Sequence, residues 1–123
     1  MPETRLDGRS VLVLEDEYLM AEELSIGLGD CGANVLGPIA TVEGALDLIK
    51  LNERIDCAVL DVNLGGEWAY PAADALMQRE VPFLFTTGYD SSVIPSRFAH
   101  VVCCRKPISI TRIVEAVTKI VHP

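Results

Sequence analysis

The sequence predicts an open, doubly wound α/β sandwich with a five-stranded parallel sheet. Short apolar runs recur along the chain, and they are continuous rather than alternating, as is typical of strands covered on both faces. Segments with the apolar spacing of a helix lie between them, and this alternation favours a parallel sheet flanked by helices. With 123 residues, half of them hydrophobic, the chain can fill one core. We therefore expect a single domain over residues 1–123, with the flavodoxin-like strand order 2-1-3-4-5.

Five strands are expected, and the second along the chain has the weakest pattern. The apolar runs cover residues 11–14, 35–36 with Ile39, 57–60, 83–85 and 101–104. Ligands of such sheets bind beyond the carboxyl ends of the strands, near the point where the strand order reverses. The candidate functional residues are therefore those that follow strands one, three, four and five.

Four helices are predicted from apolar residues spaced three and four apart, and Thr41 and Ser109 are placed to cap the second and the last. The apolar faces are Met20, Leu24 and Leu28; Val42, Ala45, Leu46 and Ile49; Ala69, Ala72, Ala73 and Leu76; and Ile110, Ile113, Val114, Val117, Ile120 and Val121. Between strands four and five, Pro95 interrupts residues 89–100. Because proline inside a helix costs about 3 kcal/mol, we expect a short or irregular helix there.

The charge of the chain excludes one class of function and is compatible with another. Ten basic and eighteen acidic residues give a net charge of −8. This argues against direct nucleic-acid binding, which needs a basic surface, and it is compatible with carboxylates that bind a divalent cation. No apolar run approaches the ~20 residues that cross a bilayer, and the N-terminus does not resemble a signal peptide. We expect a cytoplasmic protein without membrane association, whose four cysteines are reduced structural thiols.

Polar residues with complementary chemistry follow four of the predicted strands. Strand one is followed by residues 15–17 (Glu-Asp-Glu) and strand three by Asp61, while strand four ends at Thr87 and strand five precedes Lys106. Carboxylates brought together repel one another unless a cation neutralises them, and Mg²⁺ prefers such oxygen ligands. The lysine and the threonine hydroxyl can bind phosphate oxygens, and a carboxylate can act as a nucleophile that forms an acyl phosphate. Each residue alone could be a turn, cap or surface residue, but their joint placement favours a site.

The segments VLVLEDE, AVLDVNLGG, VPFLFTTGYD and CCRKP resemble, in order and spacing, the receiver domains of response regulators. The resemblance implies that Asp61 is the phosphoacceptor and that Thr87 and Lys106 contact the phosphoryl group. It also implies a Mg²⁺ site in which Asp16 and Asp61 are ligands, Glu15 acts through metal-bound water, and Asn63 contributes its backbone carbonyl. The only reactions implied are self-phosphorylation and autodephosphorylation at Asp61, so the protein is not expected to be an enzyme with a separate substrate.

The stretch PFLFTTGYD is similar to the PFxFATGY motif of the FATGUY receivers, with Thr86 in the place of the alanine. This branch implies a histidine kinase partner, such as one of the HWE type, or a histidine phosphotransfer protein. The chain departs from the general receiver pattern at Glu15, where an aspartate is usual, and at Cys103, where the family has its switch aromatic. We therefore expect that phosphorylation orders residues 89–100 instead of rotating a buried ring.

Trp68 is predicted either to shield the site, to dock a kinase or to pack over the third helix.

Two other functions are alternatives to a phosphorylated receiver. The first is a phosphatase with an aspartyl nucleophile. Such an enzyme needs a second acid two residues after the nucleophile, and this chain has Asn63 at that position, which argues against a phosphatase. A receiver-like interaction module that works without phosphate remains an alternative, because Cys103 removes the usual switch.

Overall fold

The computed structural model describes residues 5–122 and has the predicted α/β sandwich architecture. The strands are β1 (Ser10–Leu14), β2 (Asn34–Ile39), β3 (Cys57–Asp61), β4 (Asn63–Leu64), β5 (Glu67–Trp68), β6 (Phe83–Thr87) and β7 (Cys103–Arg105). The helices are α1 (Tyr18–Asp30), α2 (Val42–Leu51), α3 (Tyr70–Gln78) and α4 (Ile110–Val121).

The main sheet has five parallel strands in the order β2-β1-β3-β6-β7, which confirms the predicted order and direction. Strands β1, β3 and β6 are buried along their whole length, as their continuous apolar runs predict. One apolar layer packs between the sheet and helices α2 and α3, and a second packs between the sheet and helices α1 and α4. The sheet is therefore covered on both faces by helices.

The helix caps follow the sequence closely. Thr41 Oγ1 accepts a hydrogen bond from Gly44 N at 3.0 Å at the start of α2, and Ser109 Oγ accepts one from Arg112 N at 3.2 Å at the start of α4. Both caps confirm the prediction. The apolar face assigned to α2 is partly wrong, because Leu46 is 37% exposed. Leu46 lies at the edge of the buried face of α2, because the six apolar residues among the ten of this helix span more of its circumference than the core covers.

The segment between β6 and β7 contains two short 3-10 turns, Ser91–Val93 and Ser96–Phe98, which confirms the irregular stretch expected around Pro95. Strand β7 begins at Cys103, two residues later than its apolar run suggests. The cause is local: the N–H of Val101 closes the preceding turn by donating to the carbonyl of Phe98 at 2.9 Å.

Strands β4 and β5 form a small antiparallel hairpin that the sequence analysis did not predict. Its turn is Gly65-Gly66, and both glycines have positive φ, the backbone region that two-residue hairpin turns require. The hairpin directly follows β3 and therefore lies beside the carboxyl edge of the main sheet.

All four cysteines are free thiols. Burial raises the pKa of Cys57 to about 12, so this thiol is protonated at neutral pH. Cys103, in contrast, is exposed on β7. Among residues 5–122, no helix combines the length and the hydrophobicity that are needed to cross a membrane.

Candidate functional site

The register of the parallel sheet aligns the residues that follow its strands. Asp61 at the end of β3 pairs with Thr86 of β6, and Thr87 pairs with Arg105 of β7. The N–H of Lys106 then donates to the carbonyl of Thr87 at 2.7 Å. Residues from three strands are thus held at one edge by backbone hydrogen bonds, as the predicted topology requires.

Three carboxylates converge at this edge. Oxygen atoms of Glu15, Asp16 and Asp61 all lie within 4.8 Å of one another. Glu15 and Asp61 are only 3% and 6% exposed, whereas Asp16 is exposed. Hard divalent cations prefer such oxygen donors, and Mg²⁺ commonly uses one or two carboxylates together with water. The donor set and its partial exposure therefore fit a magnesium ion.

Lys106 neutralises part of the carboxylate charge. Its Nζ donates to Glu15 Oε1 and to Asp61 Oδ2, each at 2.9 Å. Burial would lower the pKa of Lys106, but the hydrogen bonds to the two carboxylates outweigh burial and raise it. Burial raises the pKa of Glu15, and hydrogen bonds from the Glu17 N–H and from Lys106 only partly offset this. Lys106 is therefore a firmly charged ammonium between two buried carboxylates.

Thr87 is buried, and its position is fixed by its own loop. Its Oγ1 accepts a hydrogen bond from Tyr89 N at 2.9 Å. A second loop contact reaches Asp61, because the Asn63 N–H donates to Asp61 Oδ1 at 3.1 Å. The side chain of Asn63 accepts a hydrogen bond from Gly66 N at 2.9 Å, so it holds the hairpin turn. The metal-ligand role of the Asn63 carbonyl remains a prediction.

The fold brings the predicted site residues together. The side chains of four of them lie close to one another: Glu15, Asp16, Asp61 and Lys106. Backbone hydrogen bonds connect the other two to this group, Asn63 to Asp61 and Thr87 to Lys106. Glu17, which belongs to the same acidic run, has a different role. Its carboxylate accepts hydrogen bonds from Leu19 N and Met20 N and so caps α1.

Aromatic side chains flank the site on the side of the β4–β5 hairpin, and they were only partly predicted from the sequence. Trp68 of β5 stacks on Tyr70 of α3 with a centroid distance of 5.8 Å and an interplanar angle of 8°. The ring of Tyr89 meets Trp68 edge-on, also with a centroid distance of 5.8 Å. The glycine pair 65–66 between polar and apolar residues was the available signal for the hairpin that carries Trp68.

The arrangement can bind a cation and a phosphoryl group next to one nucleophile. Asp61 offers a carboxylate oxygen, Lys106 offers a fixed positive charge, and the hydroxyl of Thr87 can donate a hydrogen bond to a phosphoryl oxygen. An ammonium beside one carboxylate, with further carboxylates that can hold a cation, is an arrangement compatible with acyl phosphate chemistry.

Neither a scan against protein-family models nor a search of curated proteins found a match. Solved structures did match. SdrG from Sphingomonas melonis Fr1 is 34% identical, with a TM-score of 0.79 over 97% of this chain and 98% of that chain. The BeF3-activated conformation of SdrG from Pseudomonas melonis Fr1 is also 34% identical, with a TM-score of 0.74 over 98% and 99% of the two chains. The PhyR response regulator REC domain from Erythrobacter litoralis is 22% identical, with a TM-score of 0.82 over 94% and 92%.

Proposed function

The chain belongs to the response regulator receiver family, and from this premise we propose that Asp61 accepts a phosphoryl group in a Mg²⁺-dependent reaction. The observation that carries the proposal is the contact of one ammonium, that of Lys106, with both Glu15 and Asp61 beside the exposed carboxylate of Asp16. These contacts support the proposal, because they bring the carboxylate of Asp61, an ammonium and two further carboxylates within a few ångströms of one another.

Each side chain has one role in the proposed reaction. An oxygen of Asp61 forms a bond to phosphorus, the bond between phosphorus and the donor atom breaks, and the electron pair of that bond stays with the donor. Lys106 and the hydroxyl of Thr87 would bind phosphoryl oxygens. Asp16 and Asp61, with the Asn63 carbonyl, would hold Mg²⁺, and Glu15 would act through metal-bound water. The metal ion supplies positive charge that offsets the charge of the phosphoryl group.

The phosphoryl donor is proposed to be a histidine kinase or a histidine phosphotransfer protein. Similarity to SdrG over nearly the whole chain supports this, as does the PFLFTTGYD segment, which points to a kinase of the HWE type. Asp61 would be phosphorylated and dephosphorylated within the domain, without turnover of a separate substrate. Phosphorylation would change which partner the domain binds.

A phosphate-independent interaction module is the second candidate. Exposed Cys103 favours it, because this position carries no ring that could move with Thr87. An aspartyl phosphatase is disfavoured, since the residue two positions after Asp61 is Asn63, which cannot act as the second acid.

Incubation with acetyl phosphate and Mg²⁺ separates these functions. We expect intact-mass spectrometry to detect one added phosphoryl group, peptide mapping to locate it on Asp61, and chelation of Mg²⁺ to abolish it. Asp61→Asn should not be modified, whereas the control variant Asp47→Asn, on the exposed face of α2, should behave like the wild type. Absence of any adduct would support the interaction module, and continuous phosphate release without an adduct would support a phosphatase.

A further inference from the structure

The hairpin after β3 places Trp68 next to a residue that flanks the proposed phosphoacceptor. In the β4–β5 pairing, Trp68 lies directly opposite Asn63. Asn63 is two residues beyond Asp61 and donates its N–H to the Asp61 carboxylate. Strand pairing therefore connects Trp68 to the backbone beside Asp61.

Tyr89 connects this hairpin to the loop that follows Thr87. Its backbone N–H is bound to the hydroxyl of Thr87, but its ring is 47% exposed. Within residues 5–122, the one aromatic ring in contact with it is the indole of Trp68, at an interplanar angle of 61°. Edge-to-face pairs of this kind are favourable, so Trp68 restrains a ring that would otherwise rotate freely in water.

The position of Trp68 is fixed by its contact with Tyr70. Its indole stacks on Tyr70, and Tyr70 stacks in turn on the buried ring of Phe98 with a centroid distance of 5.8 Å. The hydroxyl of Tyr70 donates to the carbonyl of Val93, which fixes its rotation. Trp68 is therefore supported by the hydrophobic core on one face and supports Tyr89 at its edge.

We propose that Trp68 is a positioning residue that holds the Tyr89 ring at the rim of the site and thereby sets the lifetime of the Asp61 acyl phosphate. The inference rests on the proposed function. Hydrolysis of the acyl phosphate requires a water oxygen to form a bond to phosphorus while the bond from phosphorus to the Asp61 oxygen breaks. The electron pair returns to the Asp61 carboxylate, and the proton of the water leaves with the phosphate or passes to solvent. Tyr89 is bound through its N–H to Thr87, and Asn63 through its N–H to Asp61, so in this proposal their side chains border the approach of the water. These are the two residues of the site that Trp68 contacts or pairs with.

The test is a double-mutant cycle on the adduct lifetime, measured after removal of acetyl phosphate with Mg²⁺ kept constant. Tyr89→Ala and Trp68→Ala should each shorten the lifetime by about three- to tenfold, because losing the ring, or the contact that holds it in place, lets water approach the acyl phosphate more readily. Combining them should add nothing further, because Trp68 acts through Tyr89. Trp68→Phe, which retains a ring, should restore most of the lifetime.

Tyr18→Ala provides the matched control, because Tyr18 is an exposed aromatic residue on α1 and, among residues 5–122, is not one of the rings that contact Trp68 or Tyr89. Its lifetime should equal that of the wild type. If Trp68→Ala does not fold, Trp68→Leu takes its place in the cycle. Unchanged or longer lifetimes, or effects of the two substitutions that multiply, would overturn the role of Trp68 while leaving phosphorylation of Asp61 intact. A wild-type chain that forms no adduct would instead end the proposed function and this inference together.

Discussion

The Nζ of Lys106 lies 2.9 Å from Oδ2 of Asp61, although the two residues are 45 positions apart in the chain. The contact exists because β3 and β7 both pair with β6, which lies between them, and both end at the same edge of the sheet. The same ammonium contacts Glu15, so a single positive charge is shared between two buried carboxylates. This shared ion pair makes the site sensitive to charge, and the first two predictions follow from it.

Replacing Lys106 by methionine should lower the free energy of unfolding at pH 7 by about 1–3 kcal/mol. This is less than the ~3–5 kcal/mol lost when a fully buried pair is broken, because the Lys106 side chain is 26% exposed. The raised pKa of Lys106 means that its contribution is complete below the reference pKa of 10.5 and is lost as the pH rises through the folded-state value. Urea unfolding at pH 7 and at alkaline pH measures both effects. Lys119→Met, at an exposed position of α4, is the control, and equal stabilities of wild type and Lys106→Met at pH 7 would contradict the prediction.

Glu15→Gln should raise the Tm at pH 7 in Mg²⁺-free buffer. Burial raises the pKa of Glu15 above the reference value of 4.5, so the folded state binds its proton more tightly than the unfolded state does. The cost of the ionised carboxylate is therefore absent below pH 4.5 and appears as the pH rises through the folded-state pKa. Glutamine keeps the shape and removes the charge, so the two proteins should have nearly equal Tm values at pH 4. Exposed Glu23 on α1 provides the control Glu23→Gln, and a lower Tm of Glu15→Gln at pH 7 would refute the argument.

Mg²⁺ should stabilise the wild type and leave Asp16→Asn almost unaffected. A ligand that binds only the folded state adds about 2.7 kcal/mol when it is present at a hundred times its Kd. Because Asp16 is exposed, its substitution removes a proposed ligand without disturbing the core. Thermal unfolding over a Mg²⁺ titration measures the effect, and Asp47→Asn should respond like the wild type. An undiminished Mg²⁺ effect in Asp16→Asn would place the ion elsewhere.

Residues 89–100 should become more protected from amide hydrogen exchange when beryllofluoride and Mg²⁺ bind. This segment has two short 3-10 turns and no α-helix, and it is attached to α3 through Tyr70 and through the ion pair of Arg97 with Asp74 at 2.9 Å. Its first residue, Tyr89, is bound to the hydroxyl of Thr87, so a phosphoryl mimic at Thr87 acts directly on it. Hydrogen exchange with and without the mimic, and with Asp61→Asn as the control, measures the response. If protection of this segment does not change, another part of the chain carries the signal.

The sheet could be predicted from sequence because burial on both faces leaves continuous apolar runs, as in β1, β3 and β6. The site followed from topology, since parallel strands that end in polar residues bring those residues to one edge. The start of β7 could not be predicted, because Val101 is as apolar as a strand residue and the turn bond of its N–H leaves no compositional trace.

Contacts between side chains could not be predicted from the sequence. Lys106 was expected to bind phosphate, but its simultaneous contact with Glu15 and Asp61 depends on side-chain placement that no periodicity encodes. The aromatic contacts beside the site are similar: Trp68, Tyr70 and Tyr89 come from a hairpin, a helix and a loop. The Gly65-Gly66 pair was the sequence signal that could have indicated the hairpin that carries Trp68.

Trp68 is the single tryptophan of the chain, and it lies at the rim rather than in the core. The intrinsic fluorescence of this protein therefore reports on the hairpin and on Tyr89, whereas far-ultraviolet circular dichroism reports on the helices and the sheet. Because peripheral segments open more readily than buried strands, we expect the emission transition to precede the dichroism transition in a denaturant titration. A denaturation curve followed by emission alone would therefore report the local opening of the β4–β5 hairpin and not the unfolding of the whole domain.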